Sequence, residues 1–252
     1  MARILTLEFW PTCHLGEIAR TFDARGAFAD YRRIEEGDQI PDSTDGWDGL
    51  VMLGGPQYAE DDAGYPYLAA AVTLARAFHD LGKPVLGVCL GSQILARALD
   101  ARVRKQGWTE LGFIELSPTE AAATDPVLAG IAPTRLVQFH EDTFDIPPGA
   151  VHLMTGTDCA NQAYRMGASY GFQCHIECST ELWKEWLTNI DQYLYDTSPE
   201  YHANWPRDFA ENEAGSLEFC ATISGRWLDL VEARRLRLTN RTTDAFGISL
   251  AG

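Results

Sequence analysis

Two patterns of hydrophobic and polar positions alternate along the first hundred residues. Short runs that are almost entirely apolar, as in strands buried on both faces of a sheet, occupy residues 4–9, 49–53 and 84–88. A weaker strand pattern lies at 31–34. Between these runs, apolar residues recur at three- and four-residue steps, which predicts helices over 15–23 and 67–81. Strands that alternate with helices predict an α/β fold, with an open, mostly parallel sheet flanked by helices.

After residue 100 the apolar runs become shorter and favour antiparallel strands. Strand patterns occupy residues 103–106, 112–116, 136–139 and 151–154. Two further runs, 161–165 and 169–174, are joined by Met166-Gly167-Ala168, which is typical of a hairpin.

Beyond Ser179 the apolar positions return to helical spacing. The first stripe consists of Leu182, Trp186, Ile190 and Leu194. A second helix is predicted to start after Pro206, and both stripes favour packing against the domain over binding a partner. The sequence thus predicts an α/β domain over residues 1–180, a helical extension packed on it over 181–241, and a loose tail over 242–252.

The composition argues against several classes of binding partner. The 252 residues include 36 acidic and 20 basic side chains, a formal charge of −16. This balance argues against nucleic acid as a partner, because phosphate binding depends on Lys and Arg. No apolar run approaches the ~18 residues that span a membrane. Six cysteines without a secretion signal at the N-terminus predict reduced thiols and a cytoplasmic location.

Cys89 stands where the buried run 84–88 changes to helical spacing, between Gly87 and Gly91. This Gly-x-Cys-x-Gly frame has the form of a nucleophile elbow, with cysteine where many hydrolases have serine. So sharp a strand-to-helix turn leaves no room for side chains beside the nucleophile, and the start of a helix favours thiolate over thiol. The alternative is a buried cysteine without chemistry.

A second candidate group follows the predicted hairpin. On extended backbone, residues two apart point the same way, so His175 and Glu177 are predicted to face one side as a general base and its orienting carboxylate. His140, followed by two acidic residues in a similar strand-end position, is the only rival base among the six histidines.

Two alternatives involving a metal or a nucleotide have weaker support. Cys174, His175 and Cys178 could be metal ligands, but their spacing matches no zinc pattern with a second pair downstream. Gly54-Gly55 is not followed by Gly-Lys-Ser/Thr, so it is not a P-loop. We therefore expect neither a metal nor another cofactor.

Three segments carry a resemblance to a known family: Gly54-Gly55-Pro56 after a buried strand, the Gly-x-Cys-x-Gly frame after the next, and His-x-Glu. In this order and spacing they resemble the class I (triad-type) glutamine amidotransferases, over about residues 1–180. The resemblance implies an open α/β sheet and a triad in which Cys89 is the nucleophile, His175 the base and Glu177 the orienter.

The resemblance also implies groups around this triad. The backbone N–H groups of Gly55 and Leu90 would form the oxyanion hole; Pro56 has no N–H, which fits Gly55 as the donor. Gln93 would help to hold the glutamine side of the substrate. Ile176 is a departure, because the family usually has proline there, and it leaves the backbone between base and orienter freer.

The segments 139–150 and 159–167 look like the standalone branch of the family, which includes γ-glutamyl peptidases and hydrolases. The leading hypothesis is therefore a cysteine hydrolase that cleaves a γ-glutamyl amide through a thioester. The alternatives are a glutaminase subunit that feeds ammonia to a separate synthase partner, and a binding or regulatory relative.

The sequence indicates less clearly which residues would contact the amine part of the substrate. Loops around His140 and the C-terminal helices would shape that pocket. Aromatic residues that could line it, or simply hold the helices to the sheet, are Trp183, Trp186, Trp205 and Trp227.

Overall fold

The structure, a computed structural model, describes the backbone of residues 1–246 and side chains as far as residue 239. Five α-helices in this part of the chain are α1 (Glu17–Arg25), α2 (Tyr67–Asp80), α3 (Leu90–Ala98), α4 (Thr180–Thr197) and α5 (Pro199–Phe246). Its strands are β1 (Arg3–Glu8), β2 (Phe28–Arg33), β3 (Gly49–Met52), β4 (Val85–Val88), β5 (Val103–Pro118), β6 (Thr134–Phe144), β7 (Val151–Thr155), β8 (Ala163–Met166) and β9 (Ser169–Phe172). Short 3₁₀ helices occupy Ile34–Glu36 and Glu120–Thr124.

The nine strands form one mixed sheet in the order β2-β1-β3-β4-β9-β8-β7-β5-β6. The first five in this order, from β2 to β9, are parallel, and the remaining neighbours pair antiparallel. The predicted α/β class and the parallel half are confirmed. After the antiparallel strands the chain returns to the parallel half of the sheet, where β9 pairs with β4. The last strand of the α/β domain therefore lies at the centre of the sheet.

Alternation along the parallel strands divides the core into two layers. On β3, Leu50 and Met52 face the layer that contains α2 and α3, whereas Val51 faces the layer that contains α1 and α5. Both faces are buried, which explains why these strands are continuous apolar runs in the sequence. In the α1/α5 layer, Phe22 and Trp227 stack with ring centroids 6.1 Å apart.

The antiparallel half differs from the prediction in one respect. The runs 103–106 and 112–116 belong to one 16-residue strand, β5, whose register against β6 shifts between Lys105 and Glu110. The irregular segment contains Gly107, whose φ is +85°, and this break in the alternation made one strand look like two.

The predicted start of the second C-terminal helix is wrong. Helix α5 begins at Pro199 and includes Pro206, seven residues further on. A proline inside a helix costs about 3 kcal/mol, but aromatic residues on both sides of it, Tyr201 and Phe209, pack against Trp183 of α4. This packing outweighs the local preference. The helix continues to Phe246, and residues 247–252 of the tail predicted to be loose lie outside the described residues.

No helix within residues 1–246 combines the length and the apolar character needed to cross a membrane.

The turn from β4 into α3 depends on its two glycines. A Cβ on Gly87 would lie 2.5 Å from the carbonyl oxygen of Gly91, and a Cβ on Gly91 would overlap the carbonyl oxygen of Met52. Both obstacles are backbone atoms, which no side-chain rotation can move. The close packing of α3 on β3 and β4 therefore requires glycine at both positions.

We predict that Gly91→Ala lowers the free energy of unfolding by at least about 2 kcal/mol, because the added methyl group meets backbone. The matched control is Gly215→Ala, also in a helix, where an added Cβ meets nothing within 4 Å. It should stabilise the chain by about 0.5–1 kcal/mol. Urea unfolding of both variants measures this difference, and equal stabilities would contradict the packing argument.

Candidate active site

The carboxyl ends of the parallel strands bring the predicted site residues to one edge of the sheet. Gly55 follows β3, Cys89 follows β4 and His175 follows β9, and these three strands are neighbours that run the same way. All three residues line one cavity of 350 Å³. Cavities at the carboxyl ends of parallel strands are the usual location of ligand sites in open α/β sheets.

Cys89 occupies the strained position of the elbow. Its φ is +49° and its ψ −112°, a conformation that side chains other than glycine rarely adopt. The turn is held because the Cys89 N–H donates to the Phe172 carbonyl at 2.8 Å and the Gly91 N–H donates to Leu53 at 3.0 Å. Cys89 is 5% exposed, and α3 begins immediately after it.

His175 and Glu177 make the predicted contact. The Nδ1 atom of His175 lies 2.8 Å from Oε1 of Glu177, whose side chain is buried. Nδ1 therefore carries a proton that faces the carboxylate, and Nε2 is the ring nitrogen left for proton transfer. The Trp186 ring stands edge-on to the imidazole with centroids 4.6 Å apart, which restricts its orientation.

Ile176 stands where the family usually has proline, and packing and backbone hydrogen bonds fix the segment around it. The His175 N–H donates to the Val137 carbonyl at 2.8 Å, and the Glu177 carbonyl accepts from the Glu17 N–H at 3.0 Å. Ile176 itself is fully buried in the core. The segment is thus fixed on both sides, and the contact between base and carboxylate forms with isoleucine between them.

The charges around His175 favour its protonated form. Burial lowers the pKa of His175, but the negative charges of Cys89 and Glu177, and their hydrogen bonds to the ring, raise it to about 10. An imidazolium beside a sulfur nucleophile is the arrangement that activates cysteine hydrolases and supplies a proton to a leaving group.

Two backbone donors are available beside Cys89. Within residues 1–246, neither the Gly55 N–H nor the Leu90 N–H has a hydrogen-bond partner. Gly54, just before Gly55, must also be small, because a Cβ there would lie 2.9 Å from Cε1 of His175. These glycines let the loop after β3 approach both the imidazole and the elbow.

Part of the cavity wall is aromatic, and most of its aromatic residues were not predicted from the sequence. The aromatic lining residues are Trp10, Phe139, Trp186 and Tyr193. Of the four tryptophans proposed in the C-terminal extension only Trp186 reaches the cavity. The others pack on other side chains: the buried Trp183 and the half-buried Trp205 contact Phe209, and the buried Trp227 stacks on Phe22. Trp10 could have been found from its position two residues after the end of β1.

Gln93 and His140, the two residues predicted to lie near the substrate, both line the cavity. The Gln93 amide Nε2 donates to the Asp142 carbonyl at 3.3 Å and to Gln173 at 3.2 Å. His140 is less available as a base, because Nδ1 faces the Asp142 carbonyl at 2.9 Å and Nε2 faces Glu110 at 2.8 Å. These contacts favour His175 over His140 as the candidate general base.

The alternative of a metal site at Cys174, His175 and Cys178 finds no support. Among the described residues, the group of three potential ligands that does converge lies elsewhere, at Glu110, His140 and Cys159.

Comparison with known proteins identifies the class to which this fold and site belong. The family model for class I glutamine amidotransferases matches residues 15–190. The chain therefore belongs to the class I glutamine amidotransferase family, as its three motifs indicated.

Individual relatives extend this result over most of the chain. The glutamine amidotransferase-like protein YfeJ of Salmonella typhimurium is 30% identical over 226 residues, covering 85% of this chain and 90% of YfeJ. A glutamine-hydrolysing GMP synthase subunit of Methanosarcina barkeri is 33% identical over 150 residues, but the match covers 57% of this chain and 71% of the archaeal protein.

Solved structures of two amidotransferases share the fold of this chain. A glutamine amidotransferase from Thermotoga maritima superimposes with a TM-score of 0.81 at 25% identity, covering 92% of this chain and 98% of the other. A second, from Methylobacillus flagellatus, has a TM-score of 0.79 at 27% identity and covers 91% of this chain and 94% of the other.

We predict that an electrophilic glutamine analogue, such as a diazo-ketone, labels Cys89 before any other cysteine. Cys13 is the internal control, because it lines the same cavity. Burial and neighbouring negative charges raise the pKa of Cys13 well above its ordinary value, which keeps it a thiol. Peptide mapping by mass spectrometry would locate the label, and a chiefly labelled Cys13 would contradict the assignment of the nucleophile.

We also predict an unusually high titration midpoint for His175. Its ring ¹⁵N shifts should remain those of an imidazolium from pH 6 to 9 and change near pH 10, because adjacent negative charges stabilise the bound proton. In Cys89→Ala one of these charges is absent, so the midpoint should fall.

His79 is the control in the same spectra, because burial lowers its pKa and it should lose its proton below its ordinary midpoint in both proteins. A His175 midpoint that does not move in Cys89→Ala would contradict the coupling between base and nucleophile.

Proposed function

We propose that this chain is a cysteine-dependent hydrolase that cleaves a γ-glutamyl amide bond to glutamate and an amine, and that it acts without a synthase partner. The observation that carries the proposal is the placement of Cys89, His175 and Glu177 beside a cavity whose outer wall comes from helix α4 of the same chain.

The reaction proceeds in two steps that return the enzyme to its starting state. The Cys89 thiolate attacks the amide carbonyl carbon, and the resulting oxyanion accepts hydrogen bonds from the N–H groups of Gly55 and Leu90. The intermediate expels the amine, which takes the proton from Nε2 of His175, and leaves a thioester. Water then gives a proton to His175 and attacks the thioester, which releases glutamate and restores the thiolate.

The unpaired donors and the buried orienter support these roles. Backbone N–H groups without partners, beside a nucleophile at the start of a helix, form the usual oxyanion hole of acyl transfer. Glu177 is fully buried and holds the tautomer of His175 in which Nε2 faces the reaction.

The charge of the cavity fits the α-ammonium group of such a substrate. Among the described residues that line it, none is Lys or Arg, whereas Glu141 and Asp142 are acidic. Oε1 of Glu141 accepts from Tyr193 at 2.9 Å and from Thr109 at 3.2 Å. The Asp142 carboxylate has no hydrogen-bond partner within the described part of the chain, and half-burial raises its pKa. We assign Asp142 to the α-ammonium group of the γ-glutamyl moiety, whose charge would complement it.

The aromatic wall favours a leaving amine larger than ammonia. Trp186 and Tyr193 belong to α4, so a helix of the same chain contributes part of the cavity wall. A cavity of 350 Å³ is in the range that holds ligands larger than glutamine. The matches with YfeJ and with the two amidotransferase structures cover 85%, 92% and 91% of this chain, so each must reach into the C-terminal helices, whereas the match with the GMP synthase subunit spans 57%.

A glutaminase subunit is the second candidate. It is favoured by the match with the Methanosarcina barkeri protein, which by its name hydrolyses glutamine as part of a GMP synthase. The two candidates differ in what the purified chain should do alone.

We expect the purified chain to hydrolyse γ-glutamylbenzylamide with a kcat/KM at least tenfold above that for glutamine, because the aromatic wall would contact the benzyl ring. Benzylamine is about as basic as ammonia, so the comparison does not favour the larger substrate through its leaving group. A coupled assay for glutamate measures both reactions, and Cys89→Ala should abolish both. Equal or better activity on glutamine, rising sharply when a synthase is added, would contradict the proposal and favour the second candidate.

Two matched variants on α4 test the wall itself. Tyr193→Ala should lower kcat/KM for γ-glutamylbenzylamide about tenfold with little effect on glutamine, because Tyr193 lines the cavity. Tyr195→Ala is the control, since this residue is 60% exposed on the same helix and does not line the cavity. Equal effects of the two changes would argue against a role for the wall in selecting the amine.

A further inference from the structure

A second buried group of reactive side chains lies behind the cavity wall. Glu110 of β5 and His140 of β6 are paired directly across the two strands, and Cys159 approaches them from the loop between β7 and β8. Their exposed fractions are 3%, 5% and 4%. One potential ligand atom of each lies within 4.8 Å of those of the other two. The triad does not use any of these side chains.

The hydrogen bonds around this group are those that orient metal ligands. Nδ1 of His140 donates to the Asp142 carbonyl at 2.9 Å, which directs Nε2 towards Glu110. Oε2 of Glu110 accepts from Gln162 at 2.6 Å, and Cys159 Sγ lies 3.3 Å from the Thr143 hydroxyl. Metal-bound histidines and carboxylates are typically held in this way by outer hydrogen bonds.

One polar atom in the group lacks a partner. Oε1 of Glu110 is buried and accepts no hydrogen bond from any described residue. An unsatisfied buried carboxylate oxygen is costly, and a cation bound to it would remove that cost. The pairing of Glu110 with His140 alone leaves this oxygen unexplained.

We propose that Glu110, His140 and Cys159 form a binding site for Zn²⁺ or a similar thiophilic divalent cation. A thiolate, an imidazole and a carboxylate are zinc ligands, whereas Ca²⁺ and Mg²⁺ prefer sets made entirely of oxygen. Ligand atoms in a tetrahedral zinc site lie roughly 3.3–3.8 Å apart, given the usual bond lengths. To reach this geometry, ligand atoms as far apart as 4.8 Å would approach each other by about 1–1.5 Å. His140 Nε2 and Glu110 Oε2, now 2.8 Å apart, would separate by about 0.5 Å if both bound the ion.

The site would support the catalytic cavity without taking part in the chemistry. His140 and Asp142 line the cavity, and the Asp142 carbonyl also accepts from Gln93. A cation that fixes His140 would therefore fix the end of β6 that forms this wall. The three ligands are 30 and 19 residues apart, so no short sequence motif marks them.

Cobalt titration of the full chain carrying Cys89→Ser tests the site, because this background removes the catalytic thiol as a competing ligand. After treatment with a chelator, we expect one equivalent of Co²⁺ to bind and to produce a thiolate-to-cobalt charge-transfer absorption that Zn²⁺ abolishes. A chain that shows no such absorption would overturn the proposal.

Three further variants in the same background identify the ligands. Cys159→Ser should abolish the charge-transfer absorption, and Glu110→Gln should weaken Co²⁺ binding at least tenfold. Cys220→Ser, which removes another buried thiol, should change neither. An absorption that persists in Cys159→Ser would overturn the assignment. Should circular dichroism show that Cys159→Ser is unfolded, the Glu110→Gln comparison decides, and an unchanged affinity would overturn the proposal.

Discussion

The pairing of β4 with β9 is the constraint on which the site depends. These strands are far apart in sequence but run side by side, so the nucleophile and the base leave the sheet at the same edge. The hydrogen bond from the Cys89 N–H to the Phe172 carbonyl extends this pairing into the strained elbow itself. Were the register shifted by one residue, the side chains of one strand would change faces and the two groups would separate.

The elbow adds a second constraint, because its glycines determine how closely three backbone segments approach one another. Gly87 and Gly91 contact each other and β3, and Gly54 contacts the imidazole. The unfavourable backbone conformation of Cys89 is thus maintained by backbone packing on several sides. Strain of this kind persists only where the surroundings over-determine it, and it presents the sulfur to the cavity.

Features encoded by short segments could be predicted from the sequence. The elbow glycines, the His175–Glu177 pair and the buried parallel strands each depend on residues a few positions apart, so their patterns are visible without the fold. Glu110 and Cys159 could not be placed in this way, because their neighbours are distant in the chain. The start of helix α5 was predicted wrongly for a related reason. Tertiary packing of the helix on Trp183 outweighs the local tendency of Pro206 to end a helix.

The wall supplied by α4 has a consequence for how such an enzyme can diversify. The reacting groups come from the sheet, whereas Trp186 and Tyr193 come from a helix that follows the last strand. Trp186 contacts His175, whereas Tyr193 contacts Phe139 and donates to Glu141, two residues of β6 outside the triad. Substitutions on the outer turns of α4 can therefore change the lining of the cavity while Cys89, His175 and Glu177 keep their arrangement. Under the proposed function, such changes would alter the accepted amine and leave the reacting groups as they are.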